Sequence, residues 1–484
     1  MKKSPNLQQL KRVHLVGIGG AGMGGIAEIL LGKGYQVSGS DTVENAMTQH
    51  LQTLGIKVLI GHHEGHVDGA EVVVFSTAIA QDNPELTKAR SKGLPLLRRA
   101  EMLAELMKPH RGIAISGTHG KTTTSGLIAS VLLEANLDPT FAIGGVLLST
   151  GTNAGVGAGN YFVVEADESD ASFLHYQPEI SVVTNVDADH LNNYRDFNHL
   201  QQTFLQFLHC LPAAGLAIAC SDDPILANLL PQVERPLWTY GFKTTDHVCC
   251  LEFQQQGTRC QLQVQRTGYP GTLTVNLNLP GRHNVLNALA AIAVAMRCGI
   301  SDQALLTALT KFAGTGRRFQ MYGEFNVAGK QILLLDDYGH HPREIAATLQ
   351  GMRQAWPKRR LVLAFQPHRY TRTAALFQEF VEILAQADLL LLLDIYPASE
   401  PPLPNMSGKR LYEAIVQQKS TALFVESVAQ LPKLLVEVLQ TGDVLLLQGA
   451  GDIGKLASQL AAQWDRLPAE IGPAFKDPGE AATR

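Results

Sequence analysis

The residues with the clearest chemical potential are Gly117-Thr118-His119-Gly120-Lys121-Thr122-Thr123. Amides of such a loop converge on phosphate oxygens, the Lys121 ammonium reaches the outer phosphates, and the Thr122 hydroxyl suits Mg²⁺. The position five residues before Gly120-Lys121 is Ile115 rather than the glycine of a standard nucleotide loop. The loop must therefore be shorter and supported from elsewhere. The plainer alternative is a Gly-rich turn with a Thr that caps a helix.

A second Gly-rich run, Gly17-Ile18-Gly19-Gly20-Ala21-Gly22, is followed by Asp41 about 20 residues on. This is the dinucleotide pattern, in which glycines let a diphosphate approach a helix N-terminus and a carboxylate meets ribose hydroxyls. The same geometry would hold the pyrophosphate of a nucleotide sugar. A third match, Gly449-x-Gly451-x-x-Gly454, lies near the chain end and is weighed as an ordinary turn.

Polar clusters follow four other apolar runs. Glu165-Ala166-Asp167-Glu168-Ser169-Asp170 and Asn185-Val186-Asp187-Ala188-Asp189-His190 offer carboxylates for Mg²⁺, and their mutual repulsion calls for a cation. Asp336 to Pro342 and Gln366 to Arg372 hold His340, His368, Arg369 and Arg372, and the two guanidiniums could grip a carboxylate. His283 and Asn284 begin a helix, where Asn284 is as apt to cap it as to touch a ligand. Arg317 and Arg318 sit in a linker, as phosphate contacts or as surface charges.

These clusters need strands to deliver them. Val13 to Val16, Tyr35 to Gly39, Ile56 to Ile60 and Ala70 to Ser76 alternate with helical stretches, as in a parallel sheet covered by helices. Gly112 to Ser116, Tyr161 to Glu165, Ile180 to Thr184 and Gly215 to Cys220 repeat the pattern around the phosphate loop. Residues 248 to 278 alternate with period two and predict a small antiparallel sheet laid against the main one. A helix is expected from Val285 to Met296. Further strands at Ile332 to Leu335, Arg360 to Ala364, Leu389 to Asp394, Ala422 to Val425 and Val444 to Gln448, with helices at Pro342 to Gln354 and Thr373 to Ala385, make a third α/β unit. The expected domains are 1–107, 108–313 and 314–484.

The bulk properties exclude several classes. With 40 basic against 44 acidic side chains and a net charge of -4, nothing favours a nucleic-acid surface. Six scattered cysteines without a CxxC pair suit a reducing compartment. Apolar runs such as Leu389 to Leu393 are only strand length, and the polar N-terminus has no signal-like core. A cytoplasmic protein with no membrane span is expected.

Taken in order, the motifs resemble the peptidoglycan-precursor (Mur) ligases. Gly117 to Thr123 is similar to that family's central loop, which accounts for its shortness. Gly17 to Met23 is similar to the loop of the alanine-adding members, and Glu165 to Asp170, Asn185 to His190, His283 to Asn287, Asp336 to Pro342 and His368 to Arg372 agree in sequence order. The resemblance implies an α/β chain of three domains: N-terminal Rossmann-like and UDP-binding, central P-loop ATPase-like with the small accessory antiparallel sheet, and C-terminal Rossmann-like. It implies ATP-dependent joining of L-alanine to the lactyl carboxylate of UDP-N-acetylmuramate through an acyl phosphate, in a monomer or homodimer.

By the same resemblance, Gly117, Thr118, His119, Gly120, Lys121, Thr122 and Thr123 bind ATP, together with His283, Asn284, Asn287 and Arg318. Gly17, Gly19, Gly20, Ala21, Gly22, Met23, Asp41, Ser76 and Thr77 bind the UDP-sugar. Thr122, Glu165 and His190 hold two Mg²⁺ ions, with Mn²⁺ as an alternative. His340, His368, Arg369 and Arg372 face the amino acid, and Lys121, His190, His340 and His368 are the catalytic candidates. The rivals are a recycling ligase that adds a whole peptide to the same sugar, and a nicotinamide-dependent oxidoreductase with an accessory nucleotide-binding domain.

Overall fold

The computed structural model describes residues 10–189, 193–418 and 421–467. The chain divides into two compact units: residues up to 254 with 260–278 and 283–316, and residues 255–259, 279–282 and 317 onward.

The first unit contains two sheets. A five-stranded parallel sheet has the order Lys57–Ile60, Gln36–Asp41, Arg12–Val16, Val72–Phe75, Leu96–Arg98. Arg12–Val16 is central, and strand order reverses beside it, so Gly17 leaves the sheet at a topological switch point, where open α/β sheets bind ligands. The helix Ala21–Gly32 follows, its buried face formed by Met23, Ile26, Ala27, Ile29 and Leu30.

The ten-stranded sheet has the order Thr272–Leu277, Arg259–Arg266, Val248–Gln256, Leu237–Gly241, Leu216–Cys220, Ile180–Val183, Arg111–Ser116, Tyr161–Glu165, Thr140–Leu147, Thr152–Gly155. Arg111–Ser116 lies between Ile180–Val183 and Tyr161–Glu165, all parallel. Three strand ends therefore deliver the phosphate loop, Asn185–Asp187 and Glu165–Glu168 to one edge. The expected antiparallel pair is present, with Leu262 opposite Val275 and both buried. It continues the main sheet rather than lying against it, because Val248 and Cys249 pair in parallel with Tyr240 and Gly241.

The second unit has a seven-stranded sheet ordered Ala422–Val425, Leu389–Leu393, Leu361–Phe365, Val444–Gln448, Lys330–Asp337, Gln320–Val327, Asp465–Arg466. Its first five strands are parallel. Leu389–Leu393 and Val444–Gln448 are buried at every position, which explains their unbroken apolar runs. Two differences from expectation are local. Gln320–Val327 forms an antiparallel hairpin with Lys330–Asp337 through a turn at Ala328 and Gly329, both with positive φ. The helical stretch from Thr373 to Ala385 is broken at Leu376 into Tyr370–Ala375 and Phe377–Leu384. No helix among the described residues is long and apolar enough to cross a membrane.

Candidate active site

The phosphate loop needs both of its glycines. Gly117 has φ 133°, and a Cβ there would collide with Thr184 Oγ1. Gly120 has φ 83°, where a Cβ would stand 2.7 Å from Asn287 Oδ1. The support that the short loop required comes from the neighbouring strand end. Asn185 O accepts from Thr118 N–H at 3.1 Å and Asn185 Oδ1 from His119 N–H at 2.8 Å, while Asn185 Nδ2 and Thr184 Oγ1 donate to His119 O. His119 Nε2 lies 3.1 Å from Asp187 Oδ2. The helix Lys121–Glu134 then starts with its first amides lacking intrahelical acceptors, the donor set an anion needs.

Lys121 folds back over this loop. Its Nζ donates to Gly117 O at 2.6 Å, Thr118 O at 3.2 Å and Glu168 Oε1 at 2.9 Å. Burial pushes the Glu168 carboxyl up to about 7, against the pull of Lys121 and reinforced by Asp167. For the Lys121 ammonium burial is the largest influence and opposes the charge, yet Glu168, Asp167 and Glu165 together keep its pKa raised. The expected repulsion within Glu165–Asp170 is thus relieved by a buried cation from the loop itself.

Thr122 Oγ1 donates to Glu165 Oε1 at 3.1 Å, and Glu165 Oε2 accepts from Gly144 N–H at 2.7 Å. A Cβ on Gly144 would stand 2.5 Å from Glu165 Oε1, so the glycine keeps space open at the carboxylate. An all-oxygen hydroxyl and carboxylate pair fits Mg²⁺ or Mn²⁺ better than a softer ion. His190, the third expected ligand, lies outside the described residues.

The helix expected from Val285 begins at Arg282, so Asn284 is inside it and does not cap it. Asn284 and Asn287 are buried, and Asn287 Nδ2 donates to Asn284 Oδ1 at 3.2 Å while its Oδ1 accepts from Thr124 Oγ1 at 3.1 Å. Asn287 therefore ties this helix to the phosphate-loop helix.

At the opening loop, Gly17 and Ile18 N–H both donate to Ser40 O, at 2.8 and 3.0 Å, and Gly19 N–H donates to Asp41 Oδ2 at 2.8 Å. The other Asp41 oxygen accepts from Thr42 N–H at 2.8 Å, so this carboxylate shapes the loop from within. The amides left without an intrahelical acceptor are those of Ala21, Gly22 and Met23. Ser76 Oγ accepts from Ala78 N–H, and Thr77 is exposed beside it. Sequence reasoning missed Arg99. Its Nη1 would be 2.9 Å from a Cβ on Gly22, and its Nη2 is 3.7 Å from Asp167 Oδ2. A partly exposed guanidinium thus crosses from the opening loop to the acidic edge of the phosphate loop.

In the second unit, the strand ends bring together His340, His368, Arg372 and two tyrosines. The His340 and His368 rings are 5.8 Å apart, Tyr338 meets His340 edge-on at 5.4 Å, and Tyr396 stacks on His368 at 5.6 Å. Arg372 Nη1 is 3.4 Å from His368 Nδ1. Arg369 has φ 73°, and its Nε is buried without a hydrogen-bond partner among the described residues. The signal for Tyr396 was positional. It stands three residues beyond Leu389–Leu393, as His368 does beyond Leu361–Phe365 and His340 beyond Lys330–Asp337.

Asp336 and Asp337 hold the linker instead of facing outward. Arg317 Nε lies 3.1 Å from Asp336 Oδ2, and Asp337 Oδ2 accepts from Phe319 N–H at 2.9 Å. Burial raises the Asp336 carboxyl to about 7 even against Arg317. Arg318 lies 3.7 Å from Glu344. The Gly449 to Gly454 loop has a packing explanation: a Cβ on Gly451 would meet Gln366 and Tyr396, and one on Gly454 would collide with the Arg317 guanidinium.

Comparison with known proteins identifies the family. Three family models match in succession: the Mur ligase family catalytic domain over residues 12–111, the Mur ligase middle domain over 115–295, and the Mur ligase glutamate ligase domain over 317–451. Among solved structures, the chain is similar to the UDP-N-acetylmuramate-alanine ligase of Thermotoga maritima, at 29% identity and TM-score 0.79 over 94% of this chain and 99% of that one. It is also similar to a murein peptide ligase of Psychrobacter arcticus, at 25% identity and TM-score 0.70 over 95% and 99%. A UDP-N-acetylmuramate:L-alanyl-gamma-D-glutamyl-meso-diaminopimelate ligase of Neisseria meningitides shares 30% identity over 63% of this chain and 98% of its own, with TM-score 0.57. The nicotinamide-dependent reading of the opening loop gives way at this point: the chain belongs to the Mur ligase family and is an ATP-dependent, amide-bond-forming ligase.

Proposed function

We propose that this ligase joins L-alanine to the lactyl carboxylate of UDP-N-acetylmuramate, with release of ADP and phosphate. The observation that supports this most is the likeness to the Thermotoga maritima alanine ligase along 94% of the chain. The carboxylate attacks the γ-phosphorus of ATP, giving an acyl phosphate and ADP. The neutral amine of alanine then attacks the activated carbonyl carbon, and phosphate leaves the tetrahedral intermediate.

The residues of the loop have defined work in this scheme. Lys121 exchanges Glu168 for the ATP phosphates, and Gly117 to Thr123 supply amides to them, stabilising charge as it moves onto the transferring phosphoryl group. Thr122 and Glu165 would hold Mg²⁺, with His190 at a second ion, and the metal supplies charge compensation on the phosphoryl oxygens. His283, Asn284 and Asn287 line the nucleotide, and Arg318 adds a phosphate contact. Gly17 to Met23, with Asp41, Ser76, Thr77 and Arg99, seat the UDP-sugar. Arg369 and Arg372 hold the carboxylate of alanine, and His368, aligned by Tyr396 and beside His340, accepts the proton from its ammonium.

A peptide-adding activity is the second reading, favoured by the likeness to the two peptide ligases. ADP release measured with UDP-N-acetylmuramate plus L-alanine, glycine, L-serine or a tripeptide decides between them. Dependence on both the sugar and L-alanine supports the proposal. A preference for tripeptide, or ADP release indifferent to the sugar, overturns it.

A further inference from the structure

A buried carboxylate with no part in that scheme lies at the centre of a cluster in the five-stranded sheet domain. Glu85, on the helix Pro84–Ser91, is 0% exposed. Its Oε2 accepts from His14 Nε2–H at 2.9 Å and Ser40 Oγ–H at 2.7 Å. Its Oε1 accepts from His62 Nδ1–H at 3.0 Å, His66 Nδ1–H at 3.1 Å and His63 N–H at 3.3 Å. An ionised carboxylate only accepts, so each ring nitrogen facing it carries a hydrogen. His14 Nδ1 lies 2.9 Å from the Ser38 hydroxyl. Burial alone would raise the Glu85 carboxyl, but the donors from His14, Ser40 and His62 hold it down at about 2.

An ionised group buried with five donors is a demanding arrangement, because removing any partner leaves polar atoms unsatisfied. What it holds is the support of the opening loop. Ser40 O is the acceptor for Gly17 and Ile18 N–H, and Asp41 next to it accepts from Gly19 N–H. Gly61 N–H in turn donates to Asp41 O at 2.8 Å, immediately before the segment that contributes His62, His63 and His66. Three successive loop amides thus hang on two residues, and Glu85 fastens both the first of these and the segment tied to the second.

We infer that Glu85 is a positioning residue for the UDP-sugar loop, acting through the Ser40 hydroxyl and the 61–66 segment to set the loop's seat. This rests on the reading of Gly17–Met23 as that loop. The carboxylate touches no substrate, and its influence falls on binding of the nucleotide sugar rather than on phosphoryl transfer.

The test uses the full chain with two variants, Glu85→Gln and Ser40→Ala. Glu85→Gln places an amide N–H₂ against donors, and Ser40→Ala removes only the hydroxyl link. Calorimetric binding of UDP alone and steady-state ADP release are read together with thermal midpoints. Both variants should weaken UDP binding and raise KM for UDP-N-acetylmuramate about tenfold, with kcat and KM for ATP within about twofold of wild type. Lower thermal midpoints with unchanged UDP affinity would make Glu85 a purely structural group and overturn the inference. A fall in kcat with unchanged KM would do the same. If wild type itself fails to bind UDP, the reading of the loop fails first. If wild type binds UDP and Ser40→Ala binds it equally well, only the positioning role is lost.

Discussion

The two Gly-rich loops of the first unit share a backbone solution and differ in charge. Each follows an interior strand with a parallel neighbour on either side, turns at a glycine with positive φ, and opens a helix whose first amides lack intrahelical acceptors. Each is braced from the neighbouring strand end: Ser40 and Asp41 hold residues 17 to 19, and Thr184 and Asn185 hold Thr118 and His119. Around the opening loop, the cation is Arg99, partly exposed and 3.7 Å from its carboxylate. Around the second loop, Lys121 is largely buried and pairs with Glu168 at 2.7 Å, with Asp167 and Glu165 nearby. Backbone geometry makes a place for phosphate in both. On the function proposed above, the buried charge around Lys121 separates the loop that drives chemistry from the one that holds the nucleotide sugar.

The largest expected effect breaks the charged side of that comparison. Lys121→Ala should lower ADP release by at least about 10³-fold. It should also destabilise the unit by about 3 kcal/mol, since Glu168 is left buried without its cation. Adding Glu168→Gln should restore the thermal midpoint without restoring activity. Recovery of turnover in the double variant would remove Lys121 from the phosphate site.

Glycine substitutions sharpen the contrast between the loops. Gly117→Ala combines a positive φ with a collision at Thr184, so ATP turnover should drop by about 10²-fold. Gly22→Ala meets the far end of the flexible Arg99 side chain instead, and should raise KM for the UDP-sugar about threefold with kcat unaltered. Equal loss from both variants would show that the two loops do not divide the work.

Arg99→Ala tests the cation of the opening loop by itself. KM for UDP-N-acetylmuramate should rise about tenfold while KM for ATP holds. A change confined to ATP would assign Arg99 to the acidic edge through Asp167.

The last test concerns the acid dependence of stability at Glu85. Its pKa is depressed in the folded state, from the ordinary 4.5 of a glutamate to about 2, by the donors from His14, Ser40 and His62 acting against burial. Its stabilisation is therefore complete above pH 4.5 and is lost as pH falls through the window down to about 2, on the order of 3 kcal/mol. Denaturant midpoints measured across that range should fall more steeply for wild type than for Glu85→Gln.

Several features were legible because they depend on local chemistry. Gly-Lys-Thr at a helix start, carboxylates directly after apolar runs and period-two alternation each report on a few adjacent residues, and the corresponding strands appear in the structure. The failures have a common cause. Asn284 seemed able to cap a helix because nothing local shows that the helix starts at Arg282. The antiparallel pair was expected to stand apart because the pairing of Tyr240 with Val248 is invisible in a hydrophobic pattern. Tyr396 and Arg99 carry no motif, and only their places beyond a strand end and beside Gly22 single them out.

The residues alone determined the family, the α/β alternation and the chemistry of the phosphate loop, because each is written in short runs whose spacing matches a backbone period. Only the tertiary structure decided which charges meet. Lys121 reaches Glu168 across 47 positions, and Glu85 gathers His14 from 71 positions away. Such pairings follow from sheet order and burial, in which a charge withdrawn from water settles on whatever partner the neighbouring strand brings within reach.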